Sequence, residues 1–542
     1  MARAIPWFGM GRPKGRHRRL GIGASLLPLG VGLLVASPIA YLFYLGATVG
    51  LEAMGRLWII YLLPTLGRTL LLAVLVAILA MTLGLPLAWL VVRTDMPGRK
   101  VFRWMGALSL AIPPYIGALS YIVLLGPSGM VNRAYWWLTG QTMEAGPLVD
   151  IYGLWGSVFI LGLTAYPYVL LVAGSALEAT NITLEEAARC LGLSPLRLFL
   201  GLTLPLLRPH LLASGLIAFL HALADFGVTS ILQVRTLSVE VYHWLITRLD
   251  YSGSAAMANL LVLVVLLAFL AQGKLMGRAS YAQIAAGSFR PKLISLGFWR
   301  WPALAFSILV IGASFFLPLG LLVFELGHIK ALPLALKEEW PFALNSLWTA
   351  ALAATLAVGL ALGIGQLVRY GSAIGAFTAR IVHIGYAIPG TVLGLSLILL
   401  YHKYLPWVYG TAIIVVAAYL IKYLLQATQS VTSSLAQVPR SLEEVAMTLG
   451  TGWFERLRRI LFHLVRPGLA SGWALVFMLS MRELAATLIV RPPGFDTLPV
   501  RIWIYTVEGN HALAAADALV LITIASVPLL LLGLQDIRYT SQ

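Results

Sequence analysis

The sequence predicts an all-α polytopic membrane protein with about twelve transmembrane helices in two parallel halves of six. Three observations predict this class. The 542 residues are 60% hydrophobic and only 11% charged, whereas soluble domains carry about 25% charged residues. Apolar runs such as residues 70–92 exceed the roughly 20 residues that cross a bilayer. A charged patch between two such runs recurs in the second half of the chain.

Twelve apolar segments are predicted to cross the membrane. Their bounds are 20–46, 68–92, 104–126, 151–174, 210–232, 256–276, 301–327, 342–368, 379–401, 408–428, 468–490 and 512–535. Several contain Gly and Pro, as in AIPPYIG (111–117) and YAIPG (386–390), which transmembrane helices tolerate where neighbours satisfy the freed backbone groups. A basic stretch precedes the first segment, which is longer than the apolar region of a signal peptide. We therefore expect an uncleaved first helix.

The net charge of +17 has a topological explanation. A strong positive charge is also typical of nucleic-acid-binding proteins, but here it follows the loops. With the N-terminus in the cytoplasm, most of the 38 Lys and Arg residues, Lys422 among them, fall in cytoplasmic segments, as the positive-inside rule requires. Both termini are then cytoplasmic, and no nucleic-acid partner is expected. The single cysteine, Cys190, excludes a disulfide within the chain.

An internal duplication divides the chain. Four residues of the first patch recur in the second at one constant offset: Glu186, Gly192, Arg208 and Pro209 correspond to Glu444, Gly450, Arg466 and Pro467. The predicted organisation is a basic cytoplasmic tail (1–19), a first half (20–276) with its patch at 178–209, a cytoplasmic linker (277–300), and a second half (301–542) with its patch at 436–467. Each patch lies between the fourth and fifth segments of its half.

Each patch is predicted to form a helix, a turn and a second helix. TLEE and SLEE fit capping boxes with Thr183 and Ser441 at the N-cap. One helix face follows in each copy, made by Leu184, Ala187, Ala188 and Leu191 and by Leu442, Val445, Ala446 and Leu449. Gly192 and Gly450 stand where a helix ends in a left-handed residue. An amphipathic loop on lipid headgroups is the alternative, but two equivalent copies favour docking to a two-fold symmetric partner.

The first patch resembles the EAA motif of permease subunits of ABC importers that depend on a substrate-binding protein. The residues that carry the resemblance are Glu186, Ala187, Ala188, Gly192, Leu202, Leu204 and Pro205. The second patch keeps Glu444, Ala446, Gly450 and Ile460 but has Val445 for the first Ala, and Phe462 and His463 in place of Leu-Pro. We expect this departure to weaken the second helix break or to make the two docking sites unequal.

The resemblance implies the type I ABC importer permease fold, two copies of a cytoplasmic ABC ATPase subunit, an extracytoplasmic substrate-binding protein and a bacterial inner membrane. It also implies a set of ATPase-coupling residues: Glu185, Glu186, Ala187, Ala188, Gly192, Pro205, Glu443, Glu444, Ala446 and Gly450. The sequence contains no phosphate-binding loop of the GxxxxGK type. ATP is therefore expected on the partner, with no cofactor on this chain and no enzymatic activity of its own.

Among fused permeases the chain most resembles the ferric iron (FbpB-like) group. Three stretches carry this likeness: LTAYPYVLLVAGSALEA (163–179), ADFGVTSIL (224–232) and MRELAATLIVRPPGFDTLPVRIW (481–503). Ferric iron is the expected cargo, with thiamine or a phosphonate-like anion as alternatives. A secondary transporter driven by an ion gradient has the same hydropathy, although it would have no cytoplasmic partner to engage the patches. No nucleophile or acid–base cluster supports a membrane-embedded enzyme.

Ionisable residues within membrane segments are functional candidates by default. Asp225 lies in the fifth segment, and Arg482 and Glu483 lie at the equivalent level of the eleventh. Two carboxylates at equivalent positions predict a cation path, since hard oxygen ligands suit a ferric ion. Alternatively, Arg482 neutralises one carboxylate and pins the helices. His221, four residues before Asp225 on the same predicted helical face, is either a transient ligand or a packing residue, and no metal site is firmly assigned.

Overall fold

The structure is a computed structural model that describes residues 22–47, 58–179, 188, 190–192, 194–279, 293–329 and 332–540. The helices of the first half are α1 (Ile22–Ala47), α2 (Leu63–Arg93), α3 (Arg99–Leu108), α4 (Pro114–Leu125), α5 (Met130–Thr139), α6 (Leu154–Ala179), α7 (Pro195–Leu198), α8 (Leu204–Leu223), α9 (Gly227–Ile231), α10 (Leu237–Ile246) and α11 (Tyr251–Ala279). Those of the second half are α12 (Arg300–Ile311), α13 (Leu317–Leu326), α14 (Leu332–Arg369), α15 (Ala373–Ala387), α16 (Gly390–Tyr404), α17 (Ile413–Gln437), α18 (Arg440–Thr448), α19 (Trp453–Arg456), α20 (Phe462–Leu464), α21 (Arg466–Met481), α22 (Ala485–Val490), α23 (Leu498–Val507) and α24 (His511–Thr540).

The described residues contain ten helices that are long and apolar enough to cross a membrane, or twelve if each of two bent pairs is one span. The bent pairs are α15 with α16, at 111°, and Arg458–Leu464 with α21, at 67°. Each of the twelve predicted segments overlaps one of these spans. The prediction of an all-α chain with about twelve transmembrane helices is therefore confirmed.

Several predicted bounds are wrong. The fifth segment, predicted over 210–232, is the span Phe199–Leu223, because the chain leaves the helix just before Asp225. The tenth, predicted over 408–428, is α17 and continues to Gln437. In its polar end Thr428 and Thr432 donate to the carbonyls four residues earlier, at 2.8 and 2.7 Å, so these hydroxyls are satisfied within the helix itself.

Each half is built on the same three-helix core. In the first half α2, α6 and α8 pack on one another, and in the second half α14, α17 and α21 do the same. The buried face of α14 is lined by alanines with no exposed surface: Ala350, Ala353, Ala354, Ala357 and Ala361. Small residues allow helix backbones to approach closely within a membrane, and this explains why the long α14 can serve as a central element.

The first span of each half packs on the other half. Helix α1 contacts α15 and α16, and α13 contacts α4. Tyr121 on α4 donates to the Ala313 carbonyl at 2.8 Å, and Ser120 donates to the Pro318 carbonyl at 3.2 Å. The two halves are therefore interlocked.

The third and ninth segments break at equivalent prolines. Ile112 has φ −88° and ψ 117°, and Ile388 has φ −77° and ψ 127°; each precedes a proline that disfavours the helical conformation of the residue before it. Helices α4 and α16 then begin next to the short helices α9 and α22. The breaks thus bring loop backbone into the middle of the fold, where it is covered by protein rather than lipid.

The end of the predicted linker docks on the first half. Ile294 donates to the Arg93 carbonyl at 2.8 Å, and its own carbonyl accepts from Asp95 at 3.1 Å. The Asp95 carboxylate accepts from the Leu296 amide at 2.9 Å, and this backbone hydrogen bond lowers the pKa of Asp95 from its usual value. These hydrogen bonds hold the start of the second half against the end of α2.

Candidate coupling and translocation sites

The second patch forms a helix that ends at a left-handed glycine, as predicted. Helix α18 covers Arg440–Thr448, and Gly450 has φ +78°. The helix begins before Ser441, so the predicted N-cap at this residue is wrong. Glu443 and Glu444 lie on α18, and Ala446 is buried at 5% exposure.

The first patch is described in part. Thr183, Glu185, Glu186 and Ala187 lie outside the described residues. Ala188 is buried at 8% exposure, and Gly192 has φ +78°, the same value as Gly450. A Cβ at either glycine would meet nothing within 4 Å, so only the backbone conformation requires glycine there.

Both patches present an exposed leucine directly before this glycine. Leu191 is 84% exposed and Leu449 is 77% exposed, and the two are equivalent by the repeat offset. Leu442 and Val445 on the same side of α18 are 46% and 57% exposed. The predicted apolar face thus points away from the protein, with only the alanine covered. Exposed apolar surface of this kind marks a contact surface.

An arginine in each half braces the helix that leads into the patch. The Arg369 guanidinium donates to the carbonyls of Leu435 and Val438, the latter at 2.7 Å. Arg93, at the equivalent end of α2, is buried and donates to the Leu177 carbonyl at 3.5 Å. Leu177 and Leu435 are equivalent by the repeat offset. Sequence reasoning missed these arginines because it counted them only as positive charges that indicate the cytoplasmic side. Each is the last residue of its helix, α2 or α14, and this shared position could have pointed to their common role.

Of the two expected consequences of Phe462 and His463, the weaker second helix break is wrong, and the inequality of the two docking sites stays a prediction. The first copy, which has Leu204 and Pro205, forms one span from Phe199 to Leu223, whereas the second bends by 67° before α21. Pro205 is at the start of α8, where a missing N–H is tolerated. In the second copy Val465 adopts φ −99° and ψ 8°, outside the helical region; Pro467 alone does not cause this bend, because the equivalent Pro209 lies inside the unbroken α8.

Asp225 lies at a helix break rather than within a helix. Helix α8 ends at Leu223, and α9 begins at Gly227. The Asp225 carboxylate oxygen Oδ1 accepts from the amides of Val228 and Thr229, at 3.0 and 3.1 Å. The carboxylate therefore caps α9, and the predicted common helical face with His221 is wrong because Asp225 is no longer helical.

Glu483 occupies the equivalent break between α21 and α22. Its Oε1 accepts from the Ala486 amide at 3.0 Å, which reproduces the cap made by Asp225. Its Oε2 accepts from Lys422 Nζ at 2.7 Å and from the Tyr423 hydroxyl. A Cβ on Gly390, the first residue of α16, would lie 2.5 Å from Oε1 and 3.0 Å from Lys422 Nζ. Glycine there lets α16 approach the ion pair.

The two carboxylates differ in charge compensation. Lys422 pairs with Glu483 inside the protein, so its assignment to the cytoplasmic charge of the loops is wrong: α17 places its ammonium, 17% exposed, beside a carboxylate that is 6% exposed. Thr164 occupies the equivalent position in the first half by the repeat offset, and no cation of the described residues pairs with Asp225. Of the two pseudo-symmetric carboxylates, Glu483 is therefore compensated by a cation, whereas Asp225 has no paired cation among the described residues.

Arg482 does not neutralise either carboxylate. Its Nη1 donates to the Leu110 carbonyl of the first half at 2.7 Å. The guanidinium lies close enough to Tyr168, Tyr115 and Tyr423 to interact electrostatically with them. Arg482 thus crosses the interface between the halves and is surrounded by phenol groups. His221 packs against Tyr168, with ring centroids 5.5 Å apart, and its Nε2 is buried without a hydrogen-bond partner among the described residues.

Three aromatic rings pack together next to the break at Asp225. Phe226 lies 5.2 Å from Tyr242 and 6.0 Å from Trp503, measured between ring centroids, and Tyr242 lies 6.0 Å from Trp503. The Trp503 indole N–H donates to Ser230 Oγ at 2.9 Å. Tyr242 is on α10 and Trp503 is on α23, so helices of both halves meet here.

A second buried charged cluster holds α23 in place. Arg501 on α23 donates to Glu339 on α14 at 3.3 and 3.4 Å, and Tyr505 donates to the same carboxylate. Asp517 on α24 has no exposed surface and lies close enough to Glu339 and Arg501 to interact electrostatically with them. Groups of three or more His, Cys, Asp or Glu that could hold a metal ion do not occur within the described ranges.

Comparison with known proteins gives the family. The family model of the binding-protein-dependent transport system inner membrane component matches residues 29–281 and 355–541. The chain is 28% identical over 523 residues to the Fe(3+)-transport system permease protein FbpB 2 of Haemophilus influenzae, covering 95% of this chain and 98% of that protein. It is 25% identical over 513 residues to the ferric transport system permease protein FbpB of Actinobacillus pleuropneumoniae, covering 89% and 73%.

A shorter match has a different description. The putative 2-aminoethylphosphonate transport system permease protein PhnV of Salmonella typhimurium is 33% identical over 156 residues, which are 29% of this chain and 59% of that protein. The two matched segments of the family model and the repeated three-helix core agree on one architecture. The chain belongs to the family of binding-protein-dependent transport system inner membrane components, and has the type I ABC importer permease fold in two fused halves.

Proposed function

We propose that this chain is the transmembrane subunit of an ATP-driven importer for ferric iron in the bacterial inner membrane. The observation that carries the proposal is the near full-length similarity to an Fe(3+)-transport permease. Each of the repeated patches has an exposed leucine before a left-handed glycine. These exposed surfaces support transport that is driven by a partner protein bound outside the membrane. Both termini and both patches lie in the cytoplasm in this proposal.

Two copies of a cytoplasmic ABC ATPase dock on the chain, one at each patch. Glu185, Glu186, Ala187, Ala188, Gly192 and Pro205 serve the first docking site, and Glu443, Glu444, Ala446 and Gly450 serve the second. ATP binds the partner and is hydrolysed there, and this chain carries no cofactor. A binding protein delivers the cargo to the opposite face.

The helices offer a mechanical link from each patch to the membrane interior. Helix α8 runs from the first patch to the break at Asp225, and α21 runs from the second patch to Arg482 and Glu483. Closure of the ATPase pair would move the patches together, and these helices would carry the motion to the breaks. The contact of Phe226, Tyr242 and Trp503 between the halves is the element that such a motion would open.

The two carboxylates have different roles in this proposal. Glu483 is held by Lys422, Tyr423 and the Ala486 amide, so its charge is compensated and its role is structural. The Asp225 carboxylate accepts from neutral groups of the following turn, the Val228 and Thr229 amides among them, and its charge is available to a passing cation. His221 and Arg482 line the same path from the two halves.

A phosphonate-like anion is the second candidate cargo. The observation that favours it is the guanidinium of Arg482, which is not paired with a carboxylate, together with the similarity to a 2-aminoethylphosphonate permease. A guanidinium is well suited to bind phosphonate oxygens in a bidentate manner.

Uptake of radiolabelled cargo tests the proposal. Cells that lack the chain, and the same cells with it restored, would be given labelled ferric iron, thiamine or 2-aminoethylphosphonate. We expect restoration of iron uptake alone. Restoration of phosphonate or thiamine uptake, with iron uptake unchanged, would replace the iron assignment.

A further inference from the structure

Arg482 is an uncompensated cation inside a membrane protein. Within the described residues, its side chain makes one hydrogen bond, from Nη1 to the Leu110 carbonyl. A guanidinium has five N–H donors, so most of its donors have no acceptor in the described part of the chain. A charge in the membrane interior is costly and usually marks a ligand or a pathway. The arrangement therefore lacks a negatively charged component.

Three polar groups near Arg482 have no hydrogen-bond partner among the described residues. Tyr115 is 4% exposed, and its hydroxyl has no hydrogen-bond partner in the part of the chain that the structure describes. Within the same residues, His221 Nε2 and Ser480 Oγ, two residues before Arg482, are also buried without a partner. Tyr115, Tyr168 and His221 all interact electrostatically with the guanidinium. Buried polar groups are almost always satisfied, so several unsatisfied groups around one cation indicate a ligand that carries acceptor oxygens.

The charges of this region oppose a bare ferric ion. Lys422 and Glu483 cancel each other at 2.7 Å, which leaves the positive charge of Arg482 in excess on the second-half side. Asp225 supplies one negative charge, and its Oδ1 is already bonded to two amides. One carboxylate does not compensate a trivalent cation in a medium of low dielectric constant.

We infer that Arg482 binds an oxyanion that accompanies the cargo, so that iron crosses as a complex with a small phosphate-bearing or carboxylate-bearing ligand. The inference rests on the proposed iron function and specifies the form in which iron passes. The guanidinium and the Tyr115 hydroxyl donate to the oxyanion, and Asp225 faces the metal side of the complex. Arg482 is then a residue that determines specificity for the charge of the complex.

Double-label uptake tests the inference. Right-side-out vesicles from cells that express the chain with its partner subunits would be loaded with ATP and supplied with binding protein. They would receive ⁵⁵Fe(III) together with either ³²P-phosphate or ¹⁴C-citrate, and vesicles without the chain would give the background. We expect chain-dependent retention of ⁵⁵Fe with one of the two labels in a constant ratio, and the arm that retains its label identifies the source of the oxyanion.

Variants connect the result to the residue. Arg482→Met should lower retention of both labels by about tenfold or more, since hydrogen bonds to a charged group are among the strong ones. Arg482→Lys should keep part of the rate, because lysine retains the charge but loses the planar fork. Arg68→Met is the matched control, since Arg68 is exposed and should have no effect.

The outcomes distinguish the oxyanion inference from the proposed iron function. Retention of ⁵⁵Fe with neither anion label overturns the inference and leaves the iron function standing; this result does not depend on any variant being folded. Retention of an anion label without ⁵⁵Fe overturns the iron function and leaves the anion site standing. Absence of all three labels contradicts both.

Discussion

The ion pair between Lys422 and Glu483 gives the most quantitative test of the structure. The two groups lie 2.7 Å apart, and the glutamate side chain is 6% exposed. Lys422→Met removes the cation and leaves a buried carboxylate. Loss of one partner from a buried pair costs about 3–5 kcal/mol. Because Tyr423 and the Ala486 amide continue to donate to Glu483, we expect the lower end, about 3 kcal/mol.

A second substitution should recover most of this loss. In Lys422→Met/Glu483→Gln the charge is removed from both sides, and the glutamine oxygen can still accept from the Ala486 amide. We expect the double variant to be within about 1.5 kcal/mol of the wild type, since replacing both members of a buried pair is often close to neutral. Asp225→Asn is the matched control: the asparagine oxygen still caps α9, and no cation is left unpaired.

The free energy of unfolding is measured on the purified chain in detergent, by sodium dodecyl sulfate titration followed by far-ultraviolet circular dichroism. The coupling between Lys422 and Glu483 follows from the double-mutant cycle. A double variant as unstable as the single Lys422→Met would refute the reasoning, as would a single variant that loses less than about 1 kcal/mol. Iron uptake adds the functional part: the double variant should transport, whereas Asp225→Asn should not.

Three further predictions concern particular contacts. Gly450→Val forces a branched side chain to φ +78°, at about 1–2 kcal/mol; we expect a folded chain that no longer couples ATP hydrolysis to uptake, and normal coupling would exclude the turn from the docking surface. Gly390→Ala places a methyl group 2.5 Å from the Glu483 carboxylate and should destabilise the folded chain by about 2 kcal/mol. The control is Gly359→Ala, where a Cβ meets nothing within 4 Å, and this variant should keep the stability of the wild type. Arg501→Met leaves the buried Glu339 carboxylate without its cation and should lower the free energy of unfolding by about 3–5 kcal/mol in the same titration. A decrease of less than about 1 kcal/mol would mean that water already solvates this cluster.

The architecture was readable from the sequence because its signals are local and repeated. Apolar length fixes the spans, and the constant offset between Glu186 and Glu444 fixes the duplication. The positive φ of both Gly192 and Gly450 was predictable because a helix that ends in this way needs glycine. These features depend on neighbours in the chain, which a single sequence contains.

The candidate site was only partly predictable. Sequence reasoning found Asp225 and Glu483 and their equivalence, but it placed them within helices and considered only Arg482 as a neutralising cation, as one of two alternatives. The partner is Lys422, which approaches from α17, a different helix. Contacts between residues far apart in the chain depend on how helices pack, and hydropathy does not encode that packing. For the same reason, the sequence did not predict the hydrogen bonds made by Arg369 or the contact between Tyr242 and Trp503.

The energy source of transport tests the central claim most directly. Initial rates of ⁵⁵Fe uptake would be measured in right-side-out vesicles that contain the chain and its partner subunits, loaded with ATP or left without it, and with or without a protonophore. Import driven through the two patches predicts uptake that requires ATP and survives the protonophore. Uptake that proceeds without ATP and stops when the proton gradient collapses would contradict it, and would make the chain a secondary transporter.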